Sequence, residues 1–134
     1  MRKIGILFTC FVIAIFSTIC FAKCILPSSD GNIGNVTNRN IAGYLLGSSK
    51  KILRVSEYRS EKIVEIDLKN ISNAYSAFGG DLRIAELTVG IPIRVWLRNC
   101  RFERDGRAVA AYVEFYSNDL NDKPPNDYFD APGQ

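Results

Sequence analysis

Beyond residue 40, apolar and polar residues alternate with a period of two through most of the chain. In "KIVEIDLKN" (62–70), Val64, Ile66 and Leu68 fall on one side and Glu65, Asp67 and Lys69 on the other. That is the pattern of a strand with one buried and one solvated face. "KKILRVSEYR" (50–59) opposes Leu53 and Val55 to Arg54 and Ser56, and "IAGYLLG" (41–47) is a shorter candidate. In 91–100, Ile91, Ile93, Val95 and Leu97 oppose Arg94, Trp96 and Arg98. After a turn at "ERDG" (103–106), Val109, Ala111, Val113 and Phe115 of "RAVAAYVEFY" (107–116) oppose Ala110, Tyr112, Glu114 and Tyr116. Between the third and fourth strands the period changes. Ile71, Tyr75, Phe78, Leu82 and Ala85 recur at helical steps. Gly79-Gly80 interrupts that stripe at about 2 kcal/mol against two alanines. A broken helix is therefore expected, or a short one starting near Asp81 as its N-cap.

Five strands with a short helix between strands 3 and 4 predict a mainly-β fold, a small OB-like barrel whose closure removes most sheet edges. A small sandwich or SH3-like barrel is the alternative. The barrel occupies 41–116. Before it, 23–40 holds "PSSDGNIGNVTNRN" and reads as an N-terminal arm or loop. After it, 117–134 is polar, proline-bearing and acidic, and reads as an extended or unstructured tail.

The first 22 residues change this picture. Arg2 and Lys3 precede the apolar run Ile4 to Phe16, and Cys20-Phe21-Ala22 offers small residues before a cut. This is the anatomy of a secretory signal peptide, and the run is short for a membrane span. The expected product is residues 23–134, secreted or periplasmic, with no stable membrane span after cleavage. Losing Arg2 and Lys3 reduces 17 basic residues to 15 against 14 acidic ones, a net of +1 instead of +3. Near-neutral charge and export argue against a nucleic-acid partner, despite basic and aromatic residues interleaved as an OB groove would have them.

Cys10 and Cys20 leave with the leader, so Cys24 and Cys100 remain. Two cysteines in an exported chain are expected to pair, the alternative being two free or intermolecular thiols. With two cysteines and no histidine, neither metal nor cofactor is expected. The missing histidine also removes the usual base of acid–base and triad chemistry. Glu65 and Asp67 share a strand face, and the plainer reading is a solvated face neutralised by nearby lysines. No catalysis is expected. The sequons at Asn35 and Asn70 matter only in a eukaryotic secretory pathway.

The outer face of 93–100 carries the binding chemistry. An indole at Trp96 can stack on a sugar or on a partner's side chain. Arg94 and Arg98 can fork onto carboxylates, and Tyr112 lies in the matching orientation on the adjoining strand. The alternative has Trp96 packed beneath the helix or the tail, covered by arginine stems. A third reading makes the same face a subunit interface.

"DLRIAELT" (81–88), "RVWLRN" (94–99) and "AVAAYV" (108–113) resemble the C-terminal third of cholera toxin and heat-labile enterotoxin B subunits. "VGIPIRVW" (89–96) is similar to a phrase of the subtilase-type toxin B subunits. The order differs at one point: Cys100 follows Trp96, whereas in the cholera-like proteins the cysteine precedes the tryptophan. The resemblance implies a secreted OB fold, a homopentamer, recognition of cell-surface glycans and an enzymatic A subunit as partner. The tryptophan that packs on the sugar falls at Trp96, with Arg98 and Asn99 as candidate polar partners. The leading expectation is an exported, non-enzymatic binding module for a glycan or a protein. The alternative is a periplasmic inhibitor or immunity-type protein that neutralises an enzyme by contact.

Overall fold

A computed structural model describes residues 23–28 and 36–130. The expected leader at 1–22, the sequon asparagine Asn35 and the last four residues lie outside the described residues.

Seven strands run in chain order: β1 Ile41–Ser48, β2 Ile52–Glu57, β3 Ile63–Asp67, β4 Asn73–Ser76, β5 Asp81–Arg83, β6 Pro92–Leu97 and β7 Ala108–Phe115. The sheet order is β3-β2-β1-β6-β7-β4-β5, and a further pairing of β3 with β7 closes it. β1, β2, β3, β6 and β7 thus form a closed five-stranded barrel, antiparallel except for the parallel β3–β7 contact. This is an OB-like barrel with extra strands. Gly43 sits where β1 passes β2 so closely that a Cβ would run into the Ser56 carbonyl. Closure at that corner depends on glycine.

The period-two pattern locates the core. Leu53 and Val55, Ile66 and Leu68, and Ile91, Ile93, Val95 and Leu97 all point inward with almost no exposure. In β7 the phase slips: Trp96 pairs with Tyr112 but Leu97 with Ala110. This bulge at Ala111 puts two β7 residues against one step of β6. Ala108 and Ala110 therefore join Val113 and Phe115 in the core cluster, a place that strict alternation assigns to Val109 and Ala111.

The expected helix between the third and fourth strands is a β4–β5 hairpin followed by a single 3₁₀ turn, Ile84–Glu86. Gly79 and Gly80 have φ of 93° and 87°, a left-handed pair that turns the chain instead of carrying a helix through it. β4 then lies parallel to the end of β7, Tyr75 opposite Glu114 and Ser76 opposite Phe115. Asp81 caps no helix. It begins β5, and its carboxylate accepts a 2.7 Å bond from the Asn73 amide across the hairpin. Ile71 and Leu82 still pack against the core while Phe78 lies exposed at the hairpin tip. The residues of this stretch that are buried outright are Ala74, Ile84 and Leu87, none of them in the apolar stripe.

The tail also differs from expectation. Its described part, 117–130, folds back over the barrel and buries Tyr128 and Phe129. The expected disulfide is present between Cys24 and Cys100, with Cα atoms 5.6 Å apart.

Candidate functional site

β6 has no exposed residue: all six positions from Pro92 to Leu97 are buried. Arg94 and Trp96 do point away from the barrel interior, as alternation requires, but both are covered. Only 2% of Arg94 and none of Trp96 is exposed. Of the two readings of this face, open or covered, the structure has the covered one, and the cover is the chain's own flanking segments.

The arm covers Trp96, whose indole N–H donates a 2.7 Å bond to the Thr37 carbonyl. Asn40 fixes the arm beside it, accepting from the Leu97 N–H and donating to the Cys100 carbonyl. The tail covers Arg94. Its guanidinium donates to Glu114 Oε1 at 2.9 and 2.5 Å and to the Tyr128 carbonyl at 3.2 Å. Arg94 and Glu114 are directly opposite on β6 and β7, so sheet register alone brings them together. The Tyr128 hydroxyl completes the cluster by donating to Glu114 Oε1 at 3.3 Å, and its ring lies 4.6 Å from the guanidinium. Burial pushes the Glu114 carboxyl above its usual range, against the opposing pull of Arg94.

Outside that cluster, Phe129 stacks on Tyr58 at 4.4 Å and meets Tyr44 edge-on at 5.3 Å. Asp130 forms a 2.8 Å ion pair with Arg59 and a 3.6 Å one with Arg39. A Tyr-Phe pair within an otherwise polar tail was the available sequence signal for this docking.

Of the predicted site residues, the structure brings together Arg94, Trp96 and Tyr112. Tyr112 is half-buried, edge-on to Trp96 at 5.6 Å and stacked on Tyr75 at 4.9 Å. Arg98 and Asn99 stand apart in an exposed 3₁₀ turn, where Arg98 is bonded to Glu103 at 2.7 and 3.0 Å. Burial, helped by Glu114 and Tyr75, pushes the Tyr112 hydroxyl up to about 12. The folded state therefore keeps a proton that the unfolded chain releases from about pH 10 upward. The associated stability is complete below about pH 10 and is lost as the pH rises toward 12. Tyr112→Phe should reduce the alkaline loss in denaturant midpoints measured across this range, the remainder coming from buried Tyr128, whose hydroxyl is also pushed up. An unchanged alkaline limb in the variant would contradict the assignment.

A second region was not anticipated. Beside β3 lies a groove of about 470 Å³, bounded by β3 on one side and the β6–β7 loop (98–107) on the other. Ile52, Ile63 and Phe102 line it with 42%, 52% and 46% of their surfaces exposed, an unusual grouping of large apolar side chains. Glu65 and Asp67 border it too, but each meets an arginine: Arg54 at 3.4 Å and Arg107 at 4.0 Å. They are paired surface charges. Phe102 also lines a smaller adjoining hollow with Arg101 and Arg104, which have no ion-pair partner among the described residues. Cys100 anchors the start of this loop through the disulfide, with Asn99 and Cys100 held at φ of 56° and 53°. Sequence periodicity could not find the groove, because it is built from a strand's outer face and a loop distant in sequence.

Among the described residues no helix is long and apolar enough to cross a membrane, and no three His, Cys, Asp or Glu side chains cluster as metal ligands would. What stands is a small OB-like barrel with a covered aromatic–arginine cluster and, among its surface hollows, an apolar groove beside β3. Comparison of the chain with protein-family models, curated proteins and solved structures finds no match.

Proposed function

We propose that this protein is an exported, non-catalytic binding module that takes a protein partner in the groove between β3 and the β6–β7 loop. The observation that carries this reading is the convergence of exposed Ile52, Ile63 and Phe102 in one concavity. Apolar anchors with arginines at the edge are the composition of a protein-binding surface. The strand-2 and strand-3 face together with the loop between the last two barrel strands is also where OB barrels present ligand surfaces. Export is supported by the leader pattern of the first 22 residues and by the Cys24–Cys100 bridge. The absence of histidine from the sequence favours binding over catalysis.

A toxin B-subunit-like role in glycan recognition would use Trp96 and Arg94. Thr37 and Tyr128 occupy their polar groups, so the groove carries the reading instead.

The test places a photo-crosslinking phenylalanine analogue at Phe102, with Phe78 at the distant hairpin tip as control, in the cell that makes the protein. A discrete protein adduct is expected from position 102 alone. Excess wild-type protein should suppress it and Ile63→Lys protein should not. Equal adducts from both positions, no adduct at 102, or indifference to wild-type competitor would sink the proposal.

A further inference from the structure

β3 is only partly zipped into the barrel. Its pairing with β2 runs from Ile63 to Asp67, whereas its pairing with β7 covers Ile66 and Asp67 alone. The direction of the remaining backbone groups follows from the ladder. The Lys62 carbonyl accepts from the Glu57 N–H, and the Leu68 N–H donates to the Lys51 carbonyl. Even-numbered residues of β3 thus turn their backbone groups toward β2, and odd-numbered ones turn theirs toward the opposite edge. The parallel pairing of Ile66 with Ala108 engages the Glu65 carbonyl and the Asp67 N–H on that edge, which leaves the Ile63 N–H and carbonyl and the Glu65 N–H without a neighbouring strand. The open groove lies along this stretch, with Phe102, Gly106 and Arg107 as its far wall.

We infer that the groove recognises an extended segment of a partner protein, which adds as a short strand to the free edge of β3 at Ile63–Glu65. This deepens the proposed function and rests on it. A strand beside β3 would lie roughly 4.8 Å away and need only about three residues to cover the edge. Main-chain bonds to the edge supply affinity, and alternate side chains supply specificity. On the outer side an apolar, β-branched residue would sit against Ile63 and Phe102.

Charge selects one flank of that segment. Glu65 meets Arg54 and Asp67 meets Arg107, while Glu57 keeps its charge and offsets Lys62 in the groove lining, since the Ser60 hydroxyl at 2.6 Å is a donor and no counter-charge. Arg101 and Arg104 beside Phe102 have no ion-pair partner among the described residues. The matching ligand is apolar where it meets Ile63 and Phe102 and acidic where it passes Arg101 and Arg104.

The probe is a synthetic peptide of alternating valine and threonine flanked by aspartates, compared with the same peptide N-methylated at alternate amides. Both are titrated into isotope-labelled, oxidised protein followed by amide resonances. The plain peptide should shift Ile63, Glu65, Phe102 and Arg107, slow exchange at the Ile63 amide about tenfold, and bind about tenfold more tightly than its N-methylated form. Ile63→Pro removes an edge donor while sparing the bonds to β2, so it should keep the melting midpoint and lose the peptide. If that variant does not fold, the N-methylated peptide on wild-type protein decides. Equal binding of both peptides at the same residues overturns strand addition and leaves the groove as a partner site. Absence of any shift up to about 1 mM overturns strand addition as well. Cross-linking from Phe102 tests the groove reading separately. A concentration-dependent dimer that protects the Ile63 amide would assign the edge to a second copy of the chain and overturn the inference.

Discussion

Glu114→Ala lowers the unfolding free energy by about 3–5 kcal/mol, because it strands the Arg94 guanidinium in a site that excludes water. Both partners are 2% exposed, and Glu114 Oε1 takes two of the Arg94 hydrogen bonds and one from Tyr128. Removing the carboxylate takes away the counter-charge of a buried cation, and the Tyr128 carbonyl and the two aromatic rings beside it do not replace one. Against a typical domain stability of about 5–15 kcal/mol, that loss brings the protein close to unfolding near body temperature. Denaturant titration of the oxidised protein measures it. Replacing both partners, Arg94→Met with Glu114→Leu, should recover most of the loss, since apolar pairs of similar volume often match buried ion pairs. A single-variant loss within about 1 kcal/mol would mean the cluster is hydrated in solution and the tail is not docked as described.

The second large effect belongs to the disulfide. Cys24 and Cys100 are separated by 76 residues, so their bridge removes about 4.5 kcal/mol of chain entropy from the unfolded state in the loop-closure model. Losing native bridges in small secreted domains costs about 2–5 kcal/mol. Cys24→Ser with Cys100→Ser is expected to fall in that range, measured by the same denaturant titration. The bridge also ties residues 23–28 to the turn that begins the β6–β7 loop. The Ile25–Thr37 bonds extend that tie to the carbonyl that accepts from Trp96. Trp96 fluorescence should therefore shift to the red in the double variant while it is still folded. A stability change within about 1 kcal/mol with unshifted emission would show that the arm is held without the bridge.

How much of this was legible from sequence depends on the range of the interaction. Alternation located the five barrel strands and the inward side chains of β2, β3 and β6, because a period of two is a local property of backbone geometry. It failed at Ala111, where one extra residue reversed the phase, and small alanines on both sides gave no signal of the slip. The stripe from Ile71 to Ala85 was also misread. Its helical spacing does not follow burial: the chain turns at Gly79-Gly80 into a hairpin that leaves Phe78 and Ala85 exposed and buries Ala74 and Ile84. Arg94 and Trp96 were correctly placed on the outer side of β6. A covered Trp96 was one of the two readings of that face, but the segments that do the covering were not legible, since Thr37 lies 59 positions from Trp96 and Tyr128 lies 34 from Arg94. The groove at Ile63 and Phe102 is likewise a product of barrel closure.

Residues 36–40 and 125–130 seal β6 from outside, and this gives assembly an order. The five-stranded barrel can form while Arg94 and Glu114 remain hydrated, since strand register alone brings them opposite each other. Only when the two flanking segments settle is water expelled from the pair. The desolvation cost is thereby postponed to a stage at which the core already supports it. A barrel without its flanking segments would carry Arg94 and Glu114 together with the uncovered indole of Trp96 on its outer face, and Tyr128 and Phe129 would still be in solvent. Aggregation in preparations of this protein would then trace to loosened ends, with a native barrel beneath them.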